Sequence, residues 1–145
     1  MATTTFEVTG SYDKPADCSA LLYAPLASRA TFRQSKVYHF DYEGDAGKLR
    51  EFVSRTLVDD HVQQLNDSGE PAFEDCDFFL DIGMKPGALD NEKEAVVEFY
   101  RSLKDPGFVL EDLRIFRRYY ITGSKDVDTF VRDVCNPAVN SWKTG

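Results

Sequence analysis

Between Phe78 and Pro137 the chain runs again through an order of elements already used between Phe6 and Asp60: an alternating strand, a turn, a helix, a second alternating strand and a second helix. One β-α-β-α unit of this size buries too little surface to stand alone, so a doubled one restricts the fold to two units sharing a core. In the first copy Phe6 and Val8 alternate with Glu7 and Thr9, and a turn stands at Lys14-Pro15, which predicts a strand over 6–14. The apolar positions Ala20, Leu21, Leu22 and Leu26, with Asp17 as cap, predict a helix within 16–30 that Pro25 breaks or shortens. Tyr38, Phe40 and Tyr42 on one face, against Val37 and His39 on the other, predict a strand over 32–42. After Glu43-Gly44-Asp45, the spacing of Leu49, Phe52, Val53 and Leu57 predicts a helix that ends near Asp59-Asp60.

The second copy starts after a polar connection, Asn66 to Pro71. Phe78, Leu80, Ile82 and Met84 alternate up to Lys85-Pro86-Gly87, and Asp90 caps a helix carrying Val96, Val97, Tyr100 and Leu103, with Leu89 placed to staple its first turn. Asp105-Pro106-Gly107 ends that helix. A strand over 113–121 then sets Leu113, Ile115, Arg117, Tyr119 and Ile121 against Arg114, Phe116, Arg118 and Tyr120. A last helix carries Val127, Phe130, Val131 and Val134 and closes at Asn136-Pro137. The copies align at Lys14-Pro15 with Lys85-Pro86, Gly44 with Gly123, and Phe52-Val53 with Phe130-Val131. The expected fold is therefore α+β: two tandem β-α-β-α(β) repeats, residues 1–65 and 74–145 with a linker at 66–73, in a pseudo-dimeric, ferredoxin-like two-layer sandwich with right-handed crossovers. The first repeat is the degenerate one, because of Pro25 and because its strands lack the arginine-aromatic face of the second.

Charge narrows the function classes. A formal net charge of −8 repels phosphate at long range and disfavours a general binder of nucleic acid or anionic membrane. Nothing approaches an apolar membrane span, and the first residues lack the basic and apolar regions of a secretion signal, so a cytoplasmic protein is expected. Cys18, Cys76 and Cys135 are odd in number and widely spaced, which fits reduced thiols rather than a disulfide framework or a zinc site.

No constellation nominates a catalyst. Asp59-Asp60-His61 has the residue types of a metal site, but neighbours at a helix end diverge, so it reads as a solvated terminus. Glu74-Asp75-Asp77 lacks the glycine and glutamate spacing of a calcium loop and reads as a charged strand edge. His39 and His61 stand in no catalytic motif and read as structural. The segment around Gly87 reads as a capped strand-to-helix turn, with an anion at the helix N-terminus as the alternative. Arg114, Phe116, Arg118 and Tyr120 read either as a protein or domain interface or as a half-buried sheet face. Stacking on single-stranded RNA is disfavoured by the acidic total and the missing glycine-aromatic motif.

These residues resemble those of a known family. Lys85-Pro86-Gly87-Ala88-Leu89-Asp90, the Leu113-Arg114 step and the closing Cys135-Asn136-Pro137-Ala138-Val139 are similar to the motifs of PurS, the small subunit of phosphoribosylformylglycinamidine synthase. Leu57-Val58-Asp59-Asp60-His61-Val62 stands where the first copy's closing motif belongs. The family's usual glycine after the turn aspartate is replaced by Asn91-Glu92-Lys93-Glu94, and the last strand, cut short at Trp142-Lys143-Thr144-Gly145, suggests a piece of a longer polypeptide. That small subunit works as a dimer, and the large single-chain synthases carry an N-terminal domain like a fused dimer. The resemblance thus implies a non-catalytic assembly domain of de novo purine biosynthesis. It would bridge glutaminase and ATP-using synthase parts and support ammonia channelling, with no cofactor or metal of its own. The partner-interface candidates, taken from these motifs and from the arginine-aromatic strand face, are Lys85, Gly87, Asp90, Arg114, Phe116, Arg118, Tyr120, Asn136 and Pro137. The rival reading is a tandem ferredoxin-like regulatory module that binds an amino acid or nucleotide between its halves; a small stand-alone enzyme is the weakest.

Overall fold

A computed structural model describes residues 2–23, 26 and 29–145. Among them the chain forms strands β1 (Ala2–Gly10), β2 (Ala16–Asp17), β3 (Thr31–Gly44), β4 (Gln63–Asn66), β5 (Phe78–Met84), β6 (Phe108–Thr122) and β7 (Asn140–Thr144). The helices are α1 (Ala46–Thr56), α2 (Asn91–Arg101) and α3 (Val127–Val134), with one 3-10 turn at Cys18–Ala20. This is an α+β fold on one seven-stranded sheet in the order β4-β1-β3-β6-β5-β7, with β2 paired to β3. Every ladder is antiparallel. The expected crossover handedness, which governs parallel neighbours, therefore has no ladder to act on among the described residues.

The centre of the sheet is the long β3–β6 ladder, from Thr31 opposite Thr122 to Gly44 opposite Phe108. Outward from it, each side presents the first strand of its own half and then a short last strand. Gly44 and Gly123 end the two long strands with φ of 112° and 96°, a left-handed turn that glycine adopts without strain. An aspartate cap follows each: Asp45 accepts from the Gly47 and Lys48 amides, and Asp126 from Thr129 N. Both helices start where a strand must turn back over the sheet.

All three helices cover one sheet face, and the apolar side of each strand's alternation points toward them. Two clusters fill the space beneath. The first gathers Phe6, Tyr38, Phe40 and Leu113 under α1 and α2, with Phe52 of α1 making ring contacts to Phe99 and Tyr100 of α2 and Phe108 of β6. The second gathers Leu80, Ile82, Tyr119 and Ile121 under Phe130 of α3, with Cys18, Leu21, Leu22 and Leu26 packed beside it. Each cluster thus takes a covering segment from both halves of the chain.

Several expectations need correction. Of the helix expected within 16–30, the described residues form the Cys18–Ala20 turn, with Asp17 capping it by accepting from Ser19 N at 2.9 Å; Pro25 lies outside the described residues. Leu89 is 70% exposed and staples nothing, although Asp90 does cap α2. β6 begins at Phe108 rather than Leu113, because a bulge at Glu111 shifts the pairing from Asp41–Asp112 to Tyr42–Leu110. That extra residue puts Leu110 and Leu113 on the same face and breaks the alternation that reveals a strand. The short strands β4 and β7 pair with the edges of β1 and β5. Glu74, Asp75 and Asp77 lie in the loop before β5, not on a strand edge.

Candidate functional site

The sheet face opposite the helices carries polar side chains from both halves, and the register decides which ones meet. Arg118 of β6 stands between Asp81 of β5 and Ser35 of β3. Its guanidinium holds Asp81 in two parallel hydrogen bonds, at 2.6 and 2.9 Å, and reaches Glu7 of β1 at 3.3 Å. Glu7 also accepts from the Ser35 hydroxyl at 2.6 Å and from the Tyr120 hydroxyl. Asp81 is fully buried and Glu7 only 2% exposed, so these carboxylates depend on fixed partners in place of water. Burial opposes the charge of Arg118, but its bonds to Asp81 and Tyr120 outweigh that and raise its pKa. Burial, followed by the bond to Glu7, pushes the Tyr120 phenol up to about 12.

A loop closes over this network. The Ala72 amide donates to both Glu7 and the Tyr120 hydroxyl, at 3.1 Å each, and Phe73 sits edge-on to the Tyr120 ring at 5.0 Å. Phe79 lies under the Arg118 guanidinium at 4.2 Å. Of the sequence-nominated residues, Arg118 and Tyr120 thus lie inside the chain rather than on its surface. Sequence reasoning missed Glu7, Ser35 and Asp81. The only signal for Glu7 is its place on the polar side of an alternating strand.

Further along the same face, His39 lies opposite Arg114 and edge-on to Phe116 at 5.2 Å. Its Nδ1 meets the Thr5 hydroxyl at 2.8 Å, and its buried Nε2 has no partner among the described residues. Burial first, then the positive charges of Lys143 and Arg114, lower its pKa to about 4, so the imidazole is neutral at physiological pH.

The two motifs nominated by sequence meet at the end of the β5–β7 ladder. Lys85 donates its backbone N–H to Val139 O at 2.8 Å and its ammonium to the carbonyl of Pro137. Asn136 turns the chain into β7: its side chain accepts from Ala138 N, and Asn140 in turn accepts from Asn136 N. Beside this junction a depression of about 340 Å³ is lined by Lys85, Gly87, Asp90, Arg114 and Phe116 with Ser141. Five of the nine nominated residues therefore share one surface, and Asn136 and Pro137 flank it. Gly83 opposite Phe116 is required there, since a Cβ would come within 2.7 Å of the Phe116 ring. Arg114 makes no ion pair among the described residues, and Lys143 lies 4.8 Å over the Phe116 ring.

Other candidates supply no reactive centre. Burial raises the thiol pKa of Cys18 to about 11 and raises those of Cys76 and Cys135, which opposes thiolate chemistry. Asp59 accepts from His61 N in an exposed turn, and among the described residues no group of three or more His, Cys, Asp or Glu side chains is placed to hold a metal ion. No helix among them is long and apolar enough to cross a membrane. No protein-family model, curated protein or solved structure matches the chain.

Proposed function

We propose that this chain is an assembly module of the phosphoribosylformylglycinamidine synthase type, built as a fused pseudo-dimer of two ferredoxin-like β-α-β-α-β units. It bridges synthase and glutaminase parts in the cytoplasm and performs no chemistry of its own. The observation that carries this reading is the strand order, which repeats outward from the β3–β6 ladder as two like units joined edge to edge would. The helices support it, because each apolar cluster is covered by segments from both halves, as at a subunit interface. In this reading the surface around Lys85, Gly87, Asp90, Arg114 and Phe116, flanked by Asn136 and Pro137, meets a partner. Arg118 and Tyr120 are buried apart from it, in the network with Asp81 and Glu7.

A pull-down of the intact chain against synthase and glutaminase components, with and without glutamine and ADP, tests the proposal. Capture of either component that weakens in Arg114→Glu supports it, and capture of neither overturns it. The chain alone is expected to show no ligase or glutaminase turnover.

A further inference from the structure

A cavity of about 530 Å³ opens where the ends of β3 and β6 meet the loop over residues 71–76, so both halves contribute to its wall. That volume falls within the range of small-molecule sites. One wall is rigid: the Tyr120 hydroxyl already donates to Glu7 and accepts from Ala72 N, which pins the ring in place. Exposed charged residues lie around it. Arg33 stacks its guanidinium 4.6 Å from the Phe73 ring centroid, and among the described residues it makes no ion pair. Glu74 and Asp75 line the same cavity, and their carboxylates bond to no side chain among the described residues, although the Asp75 backbone carbonyl accepts from the Thr122 hydroxyl. Residues of opposite charge thus line one cavity together with two aromatic residues, Phe73 and Tyr120, whose rings meet edge-on at 5.0 Å.

We propose that this seam cavity binds a free α-amino acid, its carboxylate on Arg33, its ammonium on Glu74 and Asp75, and its side chain against Phe73 and Tyr120. A zwitterion satisfies both charges at once through charge-assisted hydrogen bonds. A nucleotide does not fit the same set, because two carboxylates beside one guanidinium repel a phosphate chain. The inference stands apart from the assembly role, since every arm of its test uses this chain alone.

Thermal-shift and calorimetric titration with each of the twenty L-amino acids, up to about 10 mM, reads binding directly through the stabilisation a ligand confers. At least one amino acid is expected to raise the melting temperature of the wild-type chain. Its affinity is expected to fall at least about tenfold in Arg33→Ala and in the Glu74→Gln/Asp75→Asn double variant, and its N-acetyl and decarboxylated analogues are expected to bind at least about tenfold more weakly. The substituted positions all lie outside the two apolar clusters, and circular dichroism of each variant verifies its fold. The proposal is overturned if no amino acid binds, if binding survives unchanged in both variants, or if ATP binds more tightly than every amino acid tried.

Discussion

The two halves of this chain solve the same step differently. Between β5 and β6 the second half inserts α2, eleven residues capped by Asp90. Between β1 and β3 the described residues of the first half form a two-residue strand and one helical turn capped by Asp17. Both connections begin with a capping aspartate, so a cap alone does not make a helix. α2 has Val96 and Tyr100 four residues apart to lay on the sheet, and the Tyr100 hydroxyl further ties it to Phe108 O and Leu110 N. Among the described residues that follow the Cys18–Ala20 turn, Leu21, Leu22 and Leu26 pack against the cluster under α3, and the Tyr23 amide donates to buried Asp133. Side-chain contact alone thus brings these leucines into the core, without a long helix to carry them.

Arg118 ties the two halves together. Arg118→Ala removes the cation that holds Asp81 and Glu7, one carboxylate from each half, and is expected to cost about 3–5 kcal/mol, read by urea denaturation. A cost no greater than that of an ordinary surface substitution would mean that the halves are not joined through this network. The next effect is a pH dependence. The unfolded histidine takes up a proton near pH 6.5, whereas folded His39, facing Lys143, Arg114 and Arg118 with Asp81 opposing them, resists until about pH 4. Stability is therefore full above pH 6.5 and declines as pH falls toward 4, by about 1–3 kcal/mol after allowance for solvent screening. His39→Gln should flatten that slope, as measured by melting temperature against pH. The smallest effects sharpen the contrast between the connections. Asp90→Ala should destabilise by about 1 kcal/mol because a real helix loses its cap, while Asp17→Ala should leave the melting temperature unchanged.

Much of this architecture is legible in the residues. The alternation of β3, β5 and β6, the apolar spacing of all three helices and the Asp90 cap can be read from the residue order alone, because each depends on local periodicity. The short edge strands are less legible: Gln63–Asn66 offers a single apolar residue, and Asn140–Thr144 only Trp142. A bulge hides the start of β6 by reversing its phase. The site is half legible. Arg118 and Tyr120 stand out by alternation, but their burial under the 67–77 loop does not. Arg118 finds Glu7 across 111 positions of chain and Asp81 across 37, and no local pattern encodes such contacts.

The central claim is that the β3–β6 ladder and the shared clusters make two halves into one cooperative unit. Native-state hydrogen exchange across a urea series, read amide by amide, tests it most directly. The account expects the amides of β1 and β3 to converge with those of β5 and β6 on a single opening free energy. Two separate isotherms, with one half still protected after the other has opened, would contradict it.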